Sequence, residues 1–231
     1  MSDTTLTWLG HAAFRLETAD GTRIYVDPFL HGNPKCPEAE QQPERVDVIA
    51  VTHGHGDHVG DTVDLAKSHG AQVVALVELA GWFGSQGVDE GKLLGPNKGG
   101  TVEAGGASFT LVNAFHSGSA PDGSYAGEPA GIVVRVDGKT VYFAGDTCVF
   151  GDMQLIGRIY EPDVAVLPIG DHYTMGPAEA AVAAELVGAK RVVPCHFGTF
   201  PLLRGTPDEL KRLVPDGVTV EQLEPGGSLT L

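Results

Sequence analysis

Residues 46–58 read VDVIAVTHGHGDH. The first seven, Val46–Thr52, form a nearly continuous apolar run, the pattern of a β-strand buried on both faces. The run leads directly into His53-Gly-His-Gly-Asp-His58, and its two glycines, Gly54 and Gly56, deny the segment helical rigidity. In extended chain, residues two apart point the same way. His53 and His55 therefore converge on one point. Asp57 and His58 fall beyond it, near the start of a helix expected to run to about Ser68, and converge on a second. Imidazole and carboxylate are suitable ligands for Zn²⁺ and for Fe or Mn. A single histidine here would read as a polar surface turn. Three within six residues would repel one another if protonated, which favours a shared cation.

One loop cannot close two metal sites, since each needs about three protein ligands. The chain offers further candidates, each just past a β run. His116 follows the apolar stretch Phe109–Phe115, and Asp146 follows Val141–Ala144 in Ala-Gly-Asp-Thr. His196 follows Arg191–Pro194 in Pro-Cys-His-Phe-Gly-Thr-Phe-Pro. Around these, strands are expected at Thr4–Leu9, Ala12–Thr18 and Thr22–Asp27, with Asp20-Gly21 as a hairpin turn. Residues 28–44 read as a loop, and Gln72–Val77 as a strand. In the second half, Ala107–Ala114, Gly131–Val136 and Lys139–Ala144 read as strands, the last two joined at Asp137-Gly138. Asp152–Tyr160 reads as a helix and Val164–Pro168 as a buried strand. Pro177–Val187 is the clearest helix, with Pro early and Gly188 as its stop. Another helix starts at Pro207–Leu213, and short strands close the chain around Val218–Gln222 and Ser228–Leu231. No repeat, low-complexity tract or linker divides the chain, so residues 1–231 read as a single domain. Hairpin strands with interspersed helices favour sheets covered by helices over an all-parallel sheet.

Composition narrows the function. The 231 residues carry 15 Lys plus Arg against 30 Asp plus Glu, a net charge of −15. That is unfavourable for nucleic-acid or anionic-membrane binding, whose affinity comes largely from Lys and Arg on phosphates. Three widely spaced cysteines, Cys36, Cys148 and Cys195, form neither a disulfide framework nor a CxxC zinc site. No signal peptide or membrane-length apolar run is evident, so the cytoplasm is the expected location.

The ordered set H-x-H-x-D-H, His116, Gly145-Asp146 and His196 resembles that of the metallo-β-lactamase-fold hydrolases. Gly10-His11-x-x-Phe14, Asp27-Pro28, Gly-Asp-Thr-x-x-Phe-Gly-Asp and His-Phe-Gly-Thr-Phe-Pro narrow the resemblance. They are similar to the UPF0173 branch, near the L-ascorbate-6-phosphate lactonases. The resemblance spans Trp8 to about Leu203. It implies an α/β, four-layer αββα sandwich of two mixed sheets flanked by helices. It further implies a binuclear metal-dependent hydrolase. His53, His55 and His116 would hold the first metal, Asp57, His58 and His196 the second, and Asp146 would bridge them. Asp27 would support the site without ligating. Two divalent ions are expected, Zn first and Mn or Fe next. A water between them, deprotonated near neutral pH, would attack a small-molecule ester, lactone or related bond. Asp57 is a candidate general base. His11 either lines the site or is a hydrogen-bonded histidine at a strand end. His172, in the glycine-rich loop Pro168–Pro177, either handles substrate or a proton, or is a surface histidine. Loops 28–44 and 117–130 are the expected rim, and Cys148 and Cys195 are expected as small buried packing residues. The alternatives are a phosphodiesterase or nuclease on the same site, disfavoured for long nucleic acid by the charge, and a diiron redox protein, disfavoured by His55. The expected partner is a small-molecule substrate, with no nucleic acid and no membrane; relatives of this kind are commonly homo-oligomers, though nothing in the sequence marks an interface.

Overall fold

A computed structural model describes residues 3–231. The chain opens with a meander of β1 (Thr5–Trp8), β2 (Phe14–Glu17) and β3 (Arg23–Val26). β4 (Val48–Ala50), α1 (Gly56–Val59), α2 (Thr62–His69), β5 (Gln72–Val74), α3 (Val77–Ser85) and β6 (Leu93–Leu94) complete the first half. The second half starts with β7 (Thr101–Ala104), β8 (Ala107–Asn113), β9 (Ala130–Val136) and β10 (Lys139–Phe143). It continues through α4 (Met153–Tyr160), β11 (Val164–Pro168), α5 (Pro177–Val187), β12 (Arg191–Cys195), α6 (Pro207–Leu213), β13 (Thr219–Val220) and β14 (Ser228–Thr230).

Two seven-stranded mixed sheets result, ordered β14-β1-β2-β3-β4-β5-β6 and β7-β8-β9-β10-β11-β12-β13. Read in these orders, each sheet has antiparallel pairings up to its fourth strand and parallel pairings after it. The C-terminal strand β14 thus fills, in the first sheet, the place that β7 fills in the second. The inner faces meet in one apolar layer, with Leu6, Phe14, Ile24 and Val48 against Phe109, Ile132, Val141 and Val166. The outer face of the first sheet is covered by Leu65, Leu79 and Phe83 of α2 and α3. That of the second is covered by Met153, Ile156, Ala180, Ala184 and Leu210 of α4, α5 and α6. This is the expected αββα sandwich, a layered architecture in which every sheet face is buried.

Local chemistry accounts for the elements that match expectation. Pro177 opens α5 and Gly188 closes it at φ +70°. Thr206 and Glu209 form a reciprocal capping box at the start of α6. Asp137 and Gly138, at φ +50° and +74°, make the tight turn between β9 and β10. Three expectations need correction. The helix after the HGHGDH segment is broken in two at Gly60, whose φ is +43°. The strand from Gln72 ends at Val74, and Val77–Ser85 is helical. The short strands β6 and β7 were not anticipated.

Candidate metal centre

The site lies along the rim where the strands β3, β4, β8, β10 and β12 end, so that loops from both sheets face one another. Side-chain donor atoms form three overlapping groups, each within 4.8 Å: His53, His55 and His116; His11, Asp57, His58 and His196; and His53, His58 and Asp146. All seven residues expected as ligands are therefore brought together. Asp146 also lies 3.5 Å from His116 Nε2 and 3.2 Å from His196 Nε2, so it reaches both of the other groups.

Backbone geometry aims these side chains. His11, Asp27 and His196 adopt left-handed conformations at φ +56°, +47° and +55°. Such conformations cost on the order of 1–3 kcal/mol and cluster at functional sites. At His196 the strain is held in place by packing. Its amide donates to the His11 carbonyl at 2.9 Å, which also accepts from Trp8 Nε1 at 2.9 Å, and Trp8 stacks on Phe197. Gly170 lies so close that a Cβ there would sit 2.0 Å from the His196 carbonyl oxygen. Thr147 fixes the other side: its hydroxyl accepts from the Phe115 amide at 3.0 Å, next to His116, and its carbonyl from the Met175 amide at 3.1 Å.

Hydrogen bonds behind the ring nitrogens set their tautomers. Asp27, buried, accepts from the Thr52 amide at 2.8 Å, the Thr52 hydroxyl at 2.7 Å and His58 Nδ1 at 2.7 Å. With its proton given to Asp27, Thr52 Oγ1 can only accept from His53 Nδ1, at 3.1 Å. His53 and His58 thus keep a proton on the outer Nδ1 and turn Nε2 inward, where His58 Nε2 lies 3.3 Å from Asp146 Oδ1. His53 Nε2 lies 3.0 Å from His55 Nδ1. His58 Nε2, Asp146 Oδ1 and both ring nitrogens of His196 are buried with no hydrogen-bond partner. Buried polar atoms are almost always satisfied. Inward imidazole and carboxylate atoms left without hydrogen bonds fit a cation, which would take the place of any inward ring proton.

His11 is fully buried and takes part through Asp57: its Nε2 lies 3.0 Å from Asp57 Oδ2 and its Nδ1 3.0 Å from Thr199 Oγ1. Burial, only partly offset by Asp57, pushes its pKa down to about 4, so it is neutral. Nε2 then donates to the carboxylate and Nδ1 accepts from Thr199. Burial likewise lowers His53 and His116. His58 and His196 go the other way. Burial opposes their charge, but Asp146 outweighs it and raises both, His196 to about 9. Against the cost of burial, His11 first and then His196 and His58 hold the Asp57 carboxyl below its ordinary range, and His196 and His58 do the same for Asp146.

A cavity of about 570 Å³ opens on the cluster, lined at its base by His55, Asp57, His116, Asp146 and His196. His172 does not line it. That residue is exposed at φ +59°, its ring against Tyr173. The expected rim also needs correction. Nothing in 28–44 lines the cavity, and only Ser117 of 117–130 does. In that second loop Ala120 and Ala126 are buried in the layer that contains α3, and Asp122 accepts from Trp82 Nε1. The remaining wall is Tyr173 and Phe200–Leu202. Cys195 is buried between the sheets as expected, whereas Cys148 is exposed. Thr52, Thr147 and Thr199 were not singled out from sequence, although each stands within three residues of an expected ligand.

A family model described as a Beta-lactamase superfamily domain matches residues 22–197. A UPF0173 metal-dependent hydrolase of Koribacter versatilis is 48% identical over 225 residues, 96% of this chain and 95% of that protein. The chain belongs to the UPF0173 metal-dependent hydrolases of the metallo-β-lactamase superfamily. A family member from Methanosarcina mazei is 43% identical over the full length of both chains. The solved structure of Igni18, a metallo hydrolase from Ignicoccus hospitalis, superimposes with a TM-score of 0.88 at 36% identity, covering 100% of this chain and 99% of that one. The chain is thus a metal-dependent hydrolase with a His/Asp metal-binding cluster. No helix among the described residues is long and apolar enough to cross a membrane.

Proposed function

We propose that this UPF0173 hydrolase uses two divalent cations, with Zn the best match to the donor set, to cleave a small-molecule ester, lactone or related bond. The observation that carries the reading is the pair of donor groups, His53–His55–His116 and Asp57–His58–His196, with Asp146 within reach of both. When bound, such ions supply an activated water and polarise the substrate oxygen. The protein's own contribution is to fix protonation and direction. Asp27 and Thr52 hold one proton of His58 and of His53 on the far side of each ring, so that the inward nitrogens are the ones that would bind the cations. Thr199 and His11 clamp Asp57 from behind. His11 does not line the cavity, so it acts through Asp57 as a positioning residue. Asp57 does line it, as does Asp146, and in this reading Asp57 takes a proton at the reacting centre. His172 has no part in this scheme.

Metal content per chain, measured by elemental mass spectrometry on protein purified without chelator, tests the proposal. We expect about two ions per chain, with loss of metal and of ester hydrolysis in His55→Ala and Asp146→Ala. No uptake from an excess of each ion, or full hydrolysis by a metal-free variant, would overturn it.

A further inference from the structure

The wall facing the metal centre is chemically lopsided. No lysine or arginine lines the cavity, and its side away from the ligands is Tyr173, Phe200, Pro201 and Leu202. Tyr173 is 54% exposed, Phe200 39% and Leu202 43%. Single exposed apolar side chains are ordinary on protein surfaces. Three in succession on a rigid turn beside a reactive centre are not.

The turn is rigid by construction. The Gly198 amide donates to the Leu203 carbonyl at 3.0 Å, and the Leu203 amide donates to the Phe200 carbonyl at 3.0 Å. Leu203 and Thr199 are buried, and Thr199 is tied to His11. The Phe200 ring meets the His11 ring edge-on at 5.5 Å. The apolar tip is therefore displayed next to His196 by the same contacts that build the metal centre, at little further cost in ordering. Tyr173 comes from the strained loop at Asp171 and His172, φ +63° and +59°, pinned by the Asp171–Met175 hydrogen bond.

We infer that the substrate is a neutral acyl compound, an ester or lactone whose apolar chain of several carbons lies along Phe200–Leu202 and Tyr173 while its carbonyl faces the metal ligands. This rests on the hydrolase reading above and narrows it. The cavity volume falls within the range of about 300–1,000 Å³ usual for small-molecule sites. A sugar phosphate cleaved at a bond away from its phosphate would present charged oxygens beyond those held at the metals. Such oxygens are ordinarily received by Arg or Lys, and this wall has neither. Continuity with the metal cluster assigns the apolar wall to substrate rather than to a second copy of the chain.

The test uses metal-loaded protein and the p-nitrophenyl esters of acetate, butyrate and hexanoate, with bis(p-nitrophenyl) phosphate alongside. We expect kcat/KM to rise roughly two- to fourfold for each added methylene, with the phosphodiester slower than the hexanoate. Leu202→Ser should flatten that dependence while metal content is unchanged, and Phe200→Ser should flatten it as well. A flat series, or a preference for the phosphodiester over every ester, overturns the inference and leaves the hydrolase reading intact. If nothing is hydrolysed, the hydrolase reading fails, and the wall is judged by calorimetry with hexanamide against acetamide. Tighter binding of hexanamide, weakened in Leu202→Ser, supports the inference, and equal binding overturns it. Sedimentation that shows a dimer dissociated by Leu202→Ser would also overturn it, by placing a second copy on the wall.

Discussion

Asp27 is the residue on which the most site geometry depends. One carboxylate accepts from Thr52 twice and from His58 once, and it does so at φ +47°. Asn tolerates that conformation nearly as well as Asp, so Asp27→Asn isolates the chemistry from the backbone. The amide would turn a donor toward His58 Nδ1 or the Thr52 hydroxyl, driving a ring proton to the inward nitrogen. Metal affinity should fall on the order of 10–100-fold, read by competition with a chromophoric chelator, while the fold is kept. The titrating groups give a second expectation for the metal-free protein. His196 is raised to about 9, so its contribution to stability is fully present below the unfolded value near 6.5 and is lost as pH rises through about 9. Thermal scans without metal should show the melting temperature falling across that window. Metal affinity should climb over the same window, because the ligand must be neutral. A melting temperature that is flat between those limits would contradict it. At this scale the candidate ligands were legible because strand-end histidines and aspartates are conspicuous. Thr52, Thr147 and Thr199 were not, because a threonine's role depends on what its hydroxyl meets across the fold.

Elements were legible where their ends carry chemistry. α5 and α6 have the limits expected because Pro177, Gly188 and the Thr206–Glu209 box mark them. α3 has no such marks: Leu76 caps it with no side-chain hydrogen bond, and two glycines interrupt VELAGWFGS. Its helical state comes from burial of Leu79, Ala80 and Phe83 against the first sheet. The Phe200–Leu202 turn was invisible for a related reason, since an apolar triplet in sequence reads as core until neighbours leave it uncovered. The α4–α5 crossing offers a direct test of element packing. A Cβ on Gly157 would lie 2.2 Å from the Val187 carbonyl oxygen. Gly157→Ala should therefore cost about 2–3 kcal/mol by forcing the helices apart, measured from the urea midpoint with an unchanged slope. A loss below about 0.5 kcal/mol, the range of ordinary surface changes, would mean that the crossing is loose.

Across the whole molecule, the two sheets share one order of pairings, and every donor group draws on both halves of the chain. Before β7, the chain supplies His11, His53, His55, Asp57 and His58; after it come His116, Asp146 and His196. A bound cation therefore links the halves and binds only the folded state. At about 1,000 times its dissociation constant it stabilises by about 4 kcal/mol. For a chain of this size that corresponds to about 8–16 °C. Calorimetry with and without chelator should show a shift of this order, and His55→Ala should abolish the difference. The common layout of the halves was not legible in the sequence, which shows no repeat. Strand order is a property of pairing, and unlike residues satisfy it equally well.

The division of ligands has a consequence for how the protein is made. A ribosome that has released the first hundred residues has delivered His53 and His55, and neither of the groups has its remaining members. His116 follows soon after, but His196 comes 80 residues later, and β14, which completes the first sheet, later still. The donor groups are thus completed one after another as the second half of the chain is made, and the one that needs His196 is completed last.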